Sequence, residues 1–173
     1  MTKSPLNSTP AHASKENADG KSVAPKRSLT PRRRAREYAL QGVYQSLVAR
    51  RAGSLPNSTA IAKQLAEDPA FKRCQLDLFN GIFQGVLERT DELEAIITPA
   101  LDRPINELSP VEHAALLIGA YELAADLSVP YKVAINEAVE LAKTFGGTDG
   151  HKYVNGVLDL LAQKLRIAET KAD

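Results

Sequence analysis

The stretch from Pro130 to Leu165, PYKVAINEAVELAKTFGGTDGHKYVNGVLDLLAQKL, constrains the fold more than any other part of the chain. It reads as helix, tight turn, helix. Ala134, Ala138, Leu141, Ala142 and Phe145 recur at three- and four-residue steps, which makes one face of the first helix apolar. Pro130 opens that helix, because its missing N–H is one of the donors a helix start leaves unpaired anyway. Gly146 and Gly147 end it, since glycine takes the left-handed C-cap conformation without steric cost. Thr148 and Asp149 are both N-cap types for a second helix, whose stripe is Val154, Val157, Leu158, Leu161 and Leu165.

The turn carries more than a connector needs. Lys152 and Tyr153 set a cation beside an aromatic ring at a helix N-terminus. Helix N-termini attract anions such as phosphate, and an aromatic ring stacks on an unpaired base. The competing reading makes Lys152 a solvated cation and Tyr153 a plug in the core, where aromatics at helical spacing usually sit.

The rest of the chain also reads as helix. Thr30-Pro31 is an N-cap followed by proline at the first helical position. The helix it opens runs to about Ala52 and buries Ala35, Ala39, Val43, Tyr44 and Leu47. Gly42 inside it costs up to about 1 kcal/mol relative to alanine, so a close packing contact is expected there. A short helix from Ser58 or Thr59 to about Glu67 ends at Asp68-Pro69. A longer one spans Phe71 to Arg89, and another runs from Thr90 to about Ile97. Pro99 to Asn106 is a linker and a candidate boundary between two helical subdomains. Ser109-Pro110-Val111-Glu112 matches a capping box. The helix after it, through Leu116, Leu117, Ala120 and Leu123, is the most apolar and should be central. No alternating strand pattern appears. The expected fold is all-α, a single domain of about six or seven helices over residues 30–167. A disordered tail precedes it over 1–29, where large apolar residues are scarce, and a frayed tail follows over 168–173.

Catalytic chemistry finds little support. There is no phosphate-binding loop, no dinucleotide glycine fingerprint and no nucleophile elbow. His12, His113 and His151 lack metal-ligand spacing, and no cofactor or metal site is expected. Cys74 is the only cysteine, which suits a reducing cytosol. No apolar run approaches the ~20 residues of a membrane span, and no secretory signal opens the chain, so a cytoplasmic location is expected.

Charge is more telling. The net +1 conceals +6 over residues 1–37, which leaves −5 for the remainder. Arg32, Arg33, Arg34 and Arg36 crowd the first turn of a helix, the positive end of its dipole, where cations repel the helix and each other. Arginine offers forked donors for phosphate and a flat plane for bases. The run therefore points to a nucleic acid, without choosing RNA over DNA.

These segments also carry a resemblance. PYKVAINEAVELAKTFG followed by HKYVNGVLD resembles the C-terminal signature of the NusB family of bacterial transcription antitermination proteins. RRRARE, Arg32 to Glu37, resembles the family's basic start, and ELSPVEHAALLIGAYEL its central helix. The resemblance covers about Pro31 to Leu165. It implies a non-enzymatic protein that recognises single-stranded boxA-type RNA together with the ribosomal small-subunit protein NusE. The complex would join the RNA polymerase antitermination assembly on ribosomal RNA operons. It implies RNA binding by Arg32, Arg33, Arg34, Arg36, Asp149, Lys152 and Tyr153, and partner binding by Tyr44 and Glu112. For Glu112 the capping box is a sufficient explanation by itself, and for Tyr44 a place in the core is. Family members occur as monomers and dimers, so a homodimer is allowed. The chain departs from the family in its long N-terminal tail, in Gly146-Gly147-Thr148 and in Tyr153, where phenylalanine is common. Two rival readings remain: a helical domain of the kind that precedes RNA cytosine methyltransferases, and a structural homodimer.

Overall fold

The structure is a computed structural model and describes residues 29–173; the N-terminal tail expected over 1–29 lies outside the described residues except for Leu29. Helix α1 is Pro31–Arg51, and Thr30 caps it by accepting from Arg33 N at 3.1 Å. Then come α2 (Ser58–Leu65), α3 (Leu76–Glu88), α4 (Thr90–Ile97), α5 (Pro110–Ala125), α6 (Tyr131–Phe145), α7 (Gly150–Leu165) and α8 (Ile167–Ala172). Among the described residues there is no strand, so the all-α expectation holds.

Helix α5 is the axis. Every residue from His113 to Ala120 is buried, as are Glu122 and Leu123. A helix apolar all round must be surrounded, and α1, α3, α4, α6 and α7 all pack against it. The capping box is present: Glu112 N donates to Ser109 Oγ at 3.1 Å, and Ser109 N to Glu112 Oε2 at 3.2 Å. One core runs from Tyr38, Phe79 and Phe83 through Leu116 and Leu117 to Leu158. Ala100, Leu101 and Ile105 of the Pro99–Asn106 linker pack onto this same core, so the candidate subdomain boundary falls inside it. At Gly42 a methyl group would meet the Phe83 ring at 2.7 Å, the close contact the sequence asked for.

Four local expectations change. The helix expected over Phe71–Arg89 is split into a 3-10 turn, Pro69–Arg73, and α3. Cys74 is extended, and Gln75 N donates to Pro31 O at 2.9 Å, so a bond to α1 replaces helix continuation. Pro130 is the N-cap of α6 rather than its first residue. Gly146 is extended, not left-handed; an added Cβ would lie 2.5 Å from Ala142 O, so the need for glycine is close approach. The tail expected to fray forms α8. Arg166, 4% exposed, donates to the carbonyls of Leu123, Val129, Glu122 and Asp126 at 2.7, 3.0, 3.0 and 2.9 Å. Glu169 accepts from Tyr131 N at 3.0 Å, which fastens α8 to the start of α6.

Candidate nucleic-acid interface

The four arginines at the start of α1 diverge. Arg32 is exposed, and its Nη1 donates to Gln75 Oε1 at 3.3 Å. Arg33 reaches α6, where Nε and Nη2 each donate to Glu137 at 3.3 Å. Arg34 is half-buried, and its Nε is shielded without an acceptor. Arg36 does not join a surface. It is 3% exposed and faces Glu122, itself 0% exposed, through three hydrogen bonds of 3.1, 3.1 and 2.8 Å. The expectation that Arg36 contacts RNA is therefore corrected: it ties α1 to α5. The register shows why, since Arg36 lies on the same stripe as Ala39, Leu40, Val43 and Leu47, all buried. Burial pushes the Glu122 carboxyl up, and the Arg36 guanidinium pulls it back.

The turn between α6 and α7 sits against the start of α5. An added methyl group at Gly150 would lie 2.8 Å from Glu112 Oε1, and one at Gly146 would lie 3.5 Å from Val111 Cγ1. Glu112 thus uses Oε2 for the capping box and turns Oε1 toward α7. Asp149 and Lys152 form an exposed pair at 3.3 Å. Tyr153 is only in part the core plug that the sequence allowed. Its ring packs against the core, yet it is only partly buried, and Arg103 covers a face with its guanidinium carbon 4.4 Å from the ring centroid. Burial raises the Tyr153 hydroxyl pKa. Sequence reasoning missed Arg103, which lies in the linker and points to nothing by its local pattern. Asp102 Oδ1 accepts from its Nε at 2.8 Å.

Helices α1 and α6 pack along a seam. Arg33 and Glu137 mark one end. At the other, Leu40, Gln41, Tyr44, Gln45, Val111 and Phe145 line a groove of about 420 Å³. Tyr44 is 39% exposed, which removes its reading as a core aromatic; Val48 and Phe145 are exposed beside it on their helices. At 1.5 Å per residue, Arg33 and Tyr44 are separated by about 16 Å along α1. The seam thus runs from the arginine-bearing start of α1 to a groove that reaches Phe145, the residue before the glycine turn.

Among the described residues no three His, Cys, Asp or Glu side chains are placed to hold a metal. His113 is buried between α1 and α4. Arg51 Nη2 lies 3.3 Å from its Nδ1, and because arginine only donates, Nδ1 accepts and Nε2–H donates to Glu94 at 3.0 Å. Burial, with Arg51 and Arg50 nearby, pushes the His113 pKa down to about 4. No helix among the described residues is long and apolar enough to cross a membrane.

The class is a single-core helical bundle whose first helix opens on a run of arginines. The model of the NusB family matches residues 33–163. The transcription antitermination protein NusB of Cupriavidus pinatubonensis is 46% identical over 172 residues, covering 99% of both chains. A solved T. maritima NusB is 28% identical, covers 79% of this chain and 94% of its own, and superposes with a TM-score of 0.65. A chain from a crystal structure of NusB and NusE with double-stranded RNA has the same fold, at 24% identity and TM-score 0.65, over 78% of this chain and 97% of its own. This chain belongs to the NusB family.

Proposed function

We propose that the chain recognises boxA-type single-stranded RNA as a heterodimer with the ribosomal protein NusE, and that this complex joins transcribing RNA polymerase on ribosomal RNA operons. It acts as an adaptor without chemistry of its own. The observation that carries the reading is the seam of α1 and α6: the arginine-bearing start of α1 at one end, and at the other an apolar groove that reaches Phe145, just before the glycine turn. Arg32, Arg33 and Arg34 supply phosphate contacts, which position a strand without reading it. At the turn a base first meets the Arg103 guanidinium with the Tyr153 ring beneath it, and a guanidinium plane stacks on bases much as an aromatic ring does. Asp149, beside Lys152, holds the local potential down and so limits phosphate affinity.

The protein partner takes the groove. Tyr44, Val48 and Phe145 offer exposed apolar surface, and the Glu112 carboxylate at the rim suits a basic protein. The membership of the chain in the NusB family supports this choice of RNA and partner. The test is a gel shift with boxA-like and scrambled RNA, each with and without NusE. Preference for boxA-like RNA, sharpened by NusE, is the expected result; equal retention of both RNAs under both conditions refutes the proposal.

A further inference from the structure

One corner of the molecule plays no part in the seam. It lies where the 3-10 turn Pro69–Arg73 packs against the start of α1, fastened by the bonds from Gln75 N to Pro31 O and from Arg32 Nη1 to Gln75 Oε1. Lys72 and Arg73 are exposed there. Several cations elsewhere sit on a carboxylate, among them Arg33, Arg36, Arg50 and Arg89. Among the described residues Arg32, Arg34, Lys72 and Arg73 form no such pair. Two acids come near. Glu37 lies within electrostatic reach of Arg34 and Arg33. Asp68 lies within electrostatic reach of both Arg34 and Arg73, but its oxygens already accept from the Tyr38 hydroxyl at 2.8 Å and from Ala70 N at 2.9 Å.

Arg34 makes the corner more than a solvated patch. It is half-buried, its Nε is shielded, and its side chain has no hydrogen-bond acceptor among the described residues. Withdrawing a charged donor from water without giving it a partner is costly. The Arg34 Nη groups are not shielded and are open to an oxyanion arriving from outside.

We propose that the RNA track continues past the start of α1 onto this corner, where Lys72 and Arg73 hold backbone phosphates of the strand flanking the recognised element and Arg34 joins the two stretches. This rests on the RNA-binding reading above. The continuity is direct, because Arg32 at the start of α1 is hydrogen-bonded to the corner itself. The occupant is a phosphate backbone rather than bases. The aromatic rings at hand, Tyr38 and Phe71, are packed edge-on against each other at 5.0 Å and offer no stacking face. The corner therefore adds affinity without sequence preference.

The test uses the full chain and the Lys72→Ala/Arg73→Ala variant, both sites being exposed and unpaired, with melting temperature as the control for folding. Two single-stranded RNAs share one boxA-like core; the second adds flanks of about ten nucleotides on both sides, within the usual reach of a binding groove. On the flanked RNA the variant should bind about threefold to tenfold more weakly, and the slope of log K against log salt should fall by about 1.4, two contacts at about 0.7 each. On the core RNA the two proteins should bind alike, and scrambling the flanks should leave the difference intact. Equal affinity and slope on the flanked RNA overturn the inference, and so does a loss of equal size on both RNAs. If the unaltered chain binds neither RNA, the proposed function falls and this inference with it. If the unaltered chain binds and the variant matches it, only this inference falls.

Discussion

Replacing Arg36 by alanine separates a buried structural arginine from the arginines proposed to meet RNA. Arg36 and Glu122 are almost completely withdrawn from solvent and joined by three charge-assisted hydrogen bonds. Removing one partner of such a pair leaves a buried charge unmatched and costs about 3–5 kcal/mol. For a chain of this size each kcal/mol moves the melting temperature by about 2–4 °C, so Arg36→Ala should melt about 6–20 °C lower. The loss should depend on pH with a defined sign. Burial already raises the Glu122 carboxyl, and without Arg36 it rises further. A raised carboxyl stabilises the fold fully below its unfolded pKa and loses that contribution as pH rises through the folded value. Arg36→Ala should therefore be least harmful at low pH and more harmful as pH rises, and adding Glu122→Gln should flatten that dependence. Replacing both partners by methionine should recover most of the stability. Urea melts across pH supply the stability data, and RNA binding well below the melting transition supplies the second readout. A variant of unchanged stability whose RNA affinity falls would refute the structural assignment.

Three further changes probe separate parts of the fold. His113, held neutral with its pKa pushed down to about 4, should cost stability as pH falls from about 6.5 toward 4, because the unfolded chain gains a proton that the folded one refuses. The loss should be about 2–3 kcal/mol, read from urea midpoints, and His113→Gln should remove most of it. Arg166→Ala should cost about 2–4 kcal/mol by orphaning carbonyls at the end of α5, and should speed amide exchange at the start of α6; unchanged exchange there would show that the clasp does not hold α6. Glu112→Gln keeps the capping box, so its melting temperature should barely move, while affinity for NusE should fall by about 1–3 kcal/mol; the opposite pattern would leave Glu112 a cap and nothing more.

Much of the fold is legible because it rests on local rules. The unbroken apolar pattern of α5 marks a surrounded helix, the Ser109–Glu112 spacing marks its start, and Gly42 marks a close contact. What is not legible depends on partners distant in sequence. Nothing around Cys74 announces that Gln75 N will bond to Pro31 O and interrupt a helix. Arg166 seals the α5–α6 corner by polar bonds to carbonyls, which leave no hydrophobic period to detect. Arg36 is an intermediate case: its charge suggests RNA, while its register with Val43 and Leu47 places it inside. At the candidate site the arginine run and the Lys152–Tyr153 turn stand out by residue type. Arg103 does not, because only the folding of the linker brings it over Tyr153.

The central claim is that Arg32, Arg33 and Arg34 hold RNA by its phosphates. It is tested most directly by measuring the affinity of the full chain for boxA-like RNA from about 50 to 200 mM salt, beside the Arg32→Ala/Arg33→Ala/Arg34→Ala variant. Each lost phosphate contact on a single strand removes about 0.7 from the slope of log K against log salt, so the variant should bind more weakly with a slope smaller by about 1.4–2.1. An unchanged affinity and an unchanged slope would contradict it.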